Sequence, residues 1–166
     1  AATNPQRVYG TSKLEGEEQA CRFNPDAIVI RTAWVYSEFG KNFVKTMMKL
    51  MNERDEVNVV SDQIGSPTYA ANLAEAILTI IASAKWEAGI YHFSDEGIIS
   101  WYEFALAIKE ISRSNCTIKP ITTMDYPTPA KRPAYSVLDK TKIQETFGVE
   151  VKNWKSSLVL CLSKLQ

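Results

Sequence analysis

The chain has 166 residues, about one domain, and at 45% apolar and 23% charged residues it can bury a core without disulfide or metal staples. Nineteen basic residues balance nineteen acidic ones, so no overall field draws it to nucleic acid or to an anionic membrane. Cys21, Cys116 and Cys161 are widely spaced and form no C-x-x-C pair, which excludes a zinc or disulfide framework and points to a reducing cytoplasm; the most apolar stretch, Leu73 to Ala84, is too short to cross a membrane.

In chain order, the first predicted helix covers about Val8 to Arg22, opened by Asn4-Pro5 and stopped by Asn24-Pro25. Ala27 to Arg31 is an unbroken, β-branched apolar run and reads as a fully buried strand. Helix followed by buried strand is half of a βαβ unit. Phe43, Val44, Met47, Met48, Leu50 and Met51 recur at helical spacing up to Glu53, and the methionines read as core filling or as a pliable contact surface. A short strand follows at Val57 to Val60. Ala70 to Ser83 is an amphipathic helix with Leu73, Ala76, Ile77 and Ile80 on one face. Gly89 to Phe93 is a strand that holds the single histidine, His92, read as structural. Ser100 and Glu103 form a capping box for a helix reaching about Arg113. Thr117 to Ile121 is a strand, Tyr126 to Pro133 a proline-rich loop. Two short helices, about Asp139 to Phe147 and Trp154 to Leu165, close the chain on either side of Gly148. Alternating strands and helices give an α/β fold.

The chemistry concentrates at Tyr9 and Lys13. Four residues apart on a helix, the phenol and the ammonium share a face. A cation within ~4–6 Å lowers a phenol's pKa by about 1–3 units, and such a tyrosine can protonate a carbonyl oxygen near neutral pH. That step accompanies hydride transfer from a nicotinamide. The eight residues before Tyr9 contain no glycine, so the cofactor cradle is expected upstream of this chain.

Other candidates come from their position. Trp34 follows the first strand, where α/β sheets place ligands; its indole reads as a platform for a sugar ring or as a core side chain under a loop. Asn42 and Phe43 open a helix, where an amide and exposed N–H groups suit a phosphate or a base edge, or where they are a plain cap and a core phenylalanine. Gln63 to Thr68 form a polar loop bearing Gly65, suited to binding or to a simple turn. Arg132, beside Lys131 between prolines, suits a diphosphate, or the pair is simply solvated. Arg31 is a candidate partner for a carboxylate at the sheet end.

Tyr9-Gly10-x-Ser12-Lys13 resembles the active-site helix of the extended short-chain dehydrogenase/reductases. Five further stretches resemble one family within them. These are Arg31-Thr32-Ala33-Trp34-Val35-Tyr36, Gly40-Lys41-Asn42-Phe43-Val44, Val59 to Thr68, Ser100-Trp101-Tyr102-Glu103-Phe104-Ala105, and Tyr126 to Asp139. In order and over nearly the whole chain, they are similar to the dTDP-4-dehydrorhamnose reductases of dTDP-L-rhamnose synthesis.

The resemblance implies the C-terminal part of an extended short-chain dehydrogenase Rossmann-type fold: an incomplete parallel sheet plus a small α/β substrate-binding domain. Residues 1–36 would be the remnant of the dinucleotide-binding domain and 37–166 mainly the substrate domain. It implies Tyr9 and Lys13 as catalytic and cofactor-contacting residues. Thr32 and Ala33 would lie beside the nicotinamide. Trp34, Asn42, Phe43, Gln63, Gly65 and Arg132 would bind substrate. The cofactor would be NADPH or NADH, held mainly by the upstream part, with Mg²⁺ and a homodimer as features of some members. The isolated chain is expected to lack turnover. Two alternatives stay open: another nucleotide-sugar epimerase or reductase of the same superfamily, and a non-catalytic regulatory homologue similar to the β subunit of methionine adenosyltransferase.

Overall fold

A parallel strand pair forms the first of two hydrophobic centres. Strand β1 (Ile28–Arg31) pairs with β6 (Gly89–His92), setting Ile28 opposite Gly89 and Arg31 opposite His92. The computed structural model describes residues 8–126 and 132–165. Helix α1 (Val8–Phe23) precedes β1, as the sequence predicts. Helix α3 (Ala70–Ala82) leads towards β6, and α5 (Thr141–Phe147) packs on it. Ala76, Ile80, Tyr91, Phe93, Ile143, Phe147 and Val149 are buried together there, with Ile28 and Ile30 packed against them. This centre therefore draws β1 and later segments into one core.

Two expectations are corrected here. All four residues of β1 are half-buried rather than fully buried. Among the described residues only β6 pairs with β1, so one edge of the strand has no strand partner there. On α3, Ala76 and Ile80 are buried, but Ile77 is 41% exposed and joins Leu78 and Ile81 on the outer surface. The buried stripe is set by Ala76 and Ile80, and Ile77 falls at its rim, about 100° round from Ala76.

The second centre is larger. Strand β3 (Glu56–Val60) pairs in parallel with β8 (Thr117–Ile121), and three helices pack in this region: α2 (Phe43–Glu53), α4 (Trp101–Ser112) and α6 (Trp154–Ser163). Val44, Met47, Met51, Phe104, Ile108, Leu158 and Leu162 fill it, so two of the three methionines are core, as expected. Pro120 interrupts no ladder, because β8 has one partner among the described residues and can direct the missing N–H outward.

Two short pairings were not predicted. Strand β2 (Val35–Tyr36) runs parallel to β5 (Thr68–Tyr69), and β4 (Ile64–Gly65) runs antiparallel to β7 (Ile99–Ser100). Two-residue strands leave no periodicity to detect. The late helices start and stop within two residues of expectation. Gly148, at φ 68°, caps α5 in the left-handed conformation that glycine adopts without cost. Most of the proline-rich loop, 127–131, lies outside the described residues.

Helix α4 starts as predicted. Ser100 Oγ accepts the Glu103 N–H at 3.1 Å, and the Glu103 carboxylate accepts the Ser100 N–H at 2.6 Å. That cap fixes where Trp101, the first helical residue, points. Ser100→Ala should cost about 1 kcal/mol, or about 2–4 °C in Tm for a chain of this size. Thermal denaturation followed by circular dichroism measures it, and an unchanged Tm contradicts the cap's role.

Candidate active site

Tyr9 and Lys13 lie on one face of α1, with Lys13 Nζ 5.7 Å from the centroid of the Tyr9 ring. Tyr9 is 75% exposed, and α1 fully buries no side chain. What orients this helix is its next turn. Glu17 continues the stripe four residues beyond Lys13, and it takes Arg31, the last residue of β1, in a forked grip. Arg31 Nη2 donates to Glu17 Oε2 at 2.6 Å, and Nε donates to both carboxylate oxygens at 3.0 Å. These bonds push the guanidinium pKa above its ordinary value. The expected carboxylate partner of Arg31 is thus Glu17. The row Tyr9, Lys13, Glu17 runs along α1 from the chain's start to the C-terminal end of β1. Spacing alone could have shown that row, since the positions are i, i+4 and i+8.

Beyond Arg31 the chain makes a tight excursion. Thr32 Oγ1 donates to Thr68 Oγ1 at 3.1 Å, and Thr68 Oγ1 donates to the Ala33 carbonyl at 2.7 Å. Trp34 follows with φ 51°, an uncommon backbone for a bulky residue. Its indole stacks on Trp101 with centroids 3.6 Å apart and planes 14° apart. Phe43 leans on Trp101 at 4.6 Å and stacks on Phe104 at 5.5 Å. Trp34 is half-buried, so part of its surface is taken by protein and part is open.

Gly65 has a packing role. A Cβ there would lie 2.6 Å from Trp34 Cε2 and 2.7 Å from Ser136 Oγ, so only glycine lets the β4 backbone approach the indole. Gln63 is buried, and its Nε2 donates to Thr123 Oγ1 at 3.0 Å. Asn42 caps α2: Oδ1 accepts from the Lys45 N–H at 3.2 Å, and Nδ2 donates to the Ser37 carbonyl at 2.7 Å. The amides of Asn42 and Gln63 are therefore engaged within the protein. Arg132 is exposed beside the undescribed segment 127–131. His92 ends β6 opposite Arg31 and is half-buried.

The structure brings Thr32, Ala33, Trp34, Phe43 and Gly65 into one neighbourhood past β1, with Tyr9 and Lys13 on the helix anchored to that strand. Sequence reasoning missed Thr68, Trp101 as the partner of Trp34, and Glu17 as the anchor. Among the described residues no group of three or more His, Cys, Asp or Glu is placed to hold a metal ion, and no helix is long and apolar enough to cross a membrane.

The profile described as "RmlD substrate binding domain" matches residues 1–166. The chain belongs to the RmlD substrate binding domain family. A protein named dTDP-4-dehydrorhamnose reductase from Aggregatibacter actinomycetemcomitans is 44% identical over 93% of the chain, and the match covers 56% of that relative. The crystal structure of a dTDP-4-dehydrorhamnose reductase from Clostridium acetobutylicum superposes with a TM-score of 0.95 at 42% identity, over 100% of this chain and 58% of that one. Another, from Bacillus anthracis in complex with NADP, gives 0.93 at 34% identity, again over 100% of this chain and 58% of that one. The chain thus spans little more than half the length of the relatives it matches. The fold is the C-terminal part of such extended short-chain dehydrogenase structures, as expected.

Asp62 ties the loop ahead of β4 to the chain ahead of Arg132. Its carboxylate accepts the Thr123 N–H at 2.9 and 3.0 Å and the Thr123 hydroxyl at 2.7 Å, which holds its pKa below the usual carboxylate value. A pKa lower in the folded than in the unfolded chain contributes stability above the unfolded value, about 3.9, and that contribution is lost as pH falls through the folded value. Asp62→Asn should therefore lower Tm at neutral pH. The gap from the parent should close as pH drops below about 4. A gap independent of pH, measured by thermal melts across an acid series, contradicts this.

Proposed function

We propose that this chain is the substrate-binding and proton-donating part of an NAD(P)H-dependent dTDP-4-dehydrorhamnose reductase. The reaction is reduction of the C4 ketone of dTDP-6-deoxy-L-lyxo-4-hexulose. The observation that carries the reading is the Tyr9–Lys13–Glu17 row, pinned by Arg31 to the strand end where parallel sheets receive ligands, in a chain whose whole length matches the family.

Tyr9 gives its phenolic proton to the C4 oxygen as that oxygen gains charge. Lys13, one turn on, hydrogen-bonds the nicotinamide ribose and holds a positive charge beside the phenol. Thr32 and Ala33 line the approach to the nicotinamide, and the open part of Trp34 lies along the hexose. Phe43 supports that indole through Trp101. Gly65 keeps the space the indole needs, while Asn42 and Gln63 fix the loops around the nucleotide. Arg132 meets the diphosphate, whose two negative charges a planar guanidinium can bind in bidentate fashion.

The nicotinamide, when bound, supplies the hydride. Residues present here fit its reactive end: an exposed phenol and ammonium on one face of α1. The pyrophosphate needs a glycine-rich turn at a helix N-terminus. The seven glycines of this sequence are scattered, and no Gly-x-x-Gly-x-x-Gly run occurs. Division of labour follows, with residues 1–36 and their partner strand β6 completing a dinucleotide-binding sheet and the rest closing over the sugar. On this reading the isolated chain does not oxidise NADPH with the keto-sugar.

Tyr9→Phe in the full-length enzyme should lower kcat by about 10²–10⁴, the usual worth of a positioned general acid. Affinity for the dTDP-sugar should persist, because the ring remains. Stopped-flow oxidation of NADPH and equilibrium titration with dTDP-sugar give the two quantities. Unchanged kcat in the phenylalanine variant removes Tyr9 from the mechanism and with it this assignment.

A further inference from the structure

The turn Thr32-Ala33-Trp34 is held in a conformation it would not choose alone. Trp34 has φ 51°, in the left-handed region where Cβ crowds the following carbonyl. Such a residue persists only where its surroundings over-determine it, and outliers of this kind cluster at functional sites. Trp101 and Gly65 hold its indole, and the backbone of the turn is held by one side chain and its peptide. Thr68 is fully buried at the start of β5. Its N–H donates to the Trp34 carbonyl at 3.2 Å, its hydroxyl donates to the Ala33 carbonyl at 2.7 Å, and the same oxygen accepts from Thr32 Oγ1 at 3.1 Å. Three consecutive residues are thereby bonded to one threonine.

Thr68 is itself fixed on both sides by one residue. The Asp95 N–H donates to the carbonyl of Pro67 at 3.0 Å, and the Asp95 carboxylate accepts the N–H of Tyr69 at 3.1 Å. Asn72 Nδ2 in turn donates to Asp95 Oδ1 at 2.8 Å and to Ser157 Oγ at 2.7 Å, so α3 and α6 both brace the bracket. Asp95, Asn72 and Ser157 are all buried. A polar network buried this completely is stiff, because every broken bond leaves a desolvated group.

We infer that Thr68 is the positioning residue of the site: its hydroxyl and N–H hold the Thr32–Trp34 turn, and through it the indole of Trp34, at the angle the sugar requires. This rests on the reductase reading for its consequence in catalysis, but not for its consequence in geometry. Thr68 touches neither sugar nor nicotinamide in this account and acts through the turn alone.

The test compares Thr68→Val, which keeps shape and N–H but loses the hydroxyl, with Thr68→Ser, which keeps the hydroxyl. The geometric readout is the exciton couplet of the stacked Trp34–Trp101 pair in circular dichroism, identified by its loss in Trp101→Phe. Thr68→Val should abolish the couplet, and Thr68→Ser should restore it. In the full-length enzyme, Thr68→Val should lower kcat/KM by about 10- to 100-fold, the scale of a misplaced contact, with a raised KM for the keto-sugar. A merely structural loss would shrink the active fraction and leave KM alone. If Thr68→Val does not fold, Thr32→Val removes one bond of the clamp from an exposed position and should weaken the couplet partly. A couplet intact in Thr68→Val or Thr32→Val, a KM unmoved while the couplet is lost, or no rescue by serine overturns the inference. The two readings fail separately: turnover that survives Tyr9→Phe sinks the reductase assignment and leaves the couplet result standing.

Discussion

The forked ion pair between Arg31 and Glu17 sets which face helix α1 turns towards the end of β1. Helix α1 fully buries no side chain, and only Gly10, Leu14, Glu17 and Cys21 are half-buried along one stripe, so packing fixes its rotation against β1 weakly. A bidentate guanidinium–carboxylate contact fixes it, because such a contact has directional preference as well as charge. With the Glu17 and Arg31 side chains 17% and 27% exposed, water screens part of the attraction. The pair is worth on the order of 1–3 kcal/mol rather than the larger figures of sealed interiors. That is small beside the core of the second centre, yet sufficient to select one orientation of an otherwise weakly held helix. Rotating α1 by one residue would swing Tyr9 and Lys13 through about 100° and away from the strand end.

Past that strand, rigidity comes from a different source. Trp34, Trp101, Phe43 and Phe104 form a continuous aromatic layer, and its position depends on a cap and a glycine. The capping box at Ser100 starts α4 at Trp101, and Gly65 admits the edge of Trp34 where any other residue would collide. The aromatic layer also continues into the core through Tyr36 and Phe104, 5.4 Å apart. The aromatic part of the candidate site therefore rests on the larger hydrophobic centre, while Tyr9 stands on the helix tied to the smaller one.

Much of this was legible in the sequence because it was local. Helices α2, α3 and α4 announce themselves by period, caps and length, and β1, β3 and β8 by β-branched runs between stop signals. Tyr9, Lys13 and Trp34 were visible as residue types at telling positions. What was hidden is what depends on distant partners. Thr68 read as part of a turn, since nothing in Ser66-Pro67-Thr68 says that residues 32 to 34 lie against it. Half-burial of Ile28, Val29 and Ile30 departs from their apolar run, because among the described residues β1 has a single strand partner, which the run itself does not reveal. Asn42 and Gln63 looked available to a ligand, and their amides are instead engaged by Ser37, Lys45 and Thr123, contacts fixed by tertiary structure.

Helix α1 presents Tyr9 and Lys13 towards the end of β1 through Glu17 and Arg31. A double-mutant cycle on kcat in the full-length enzyme, using Glu17→Ala, Arg31→Ala and the pair together, tests this arrangement most directly. Each single change should slow turnover by about 10- to 100-fold, as expected when a reacting group is misplaced, and the double variant should be no slower than either single one. Single variants with parental kcat, or effects that simply multiply in the double variant, would contradict the account.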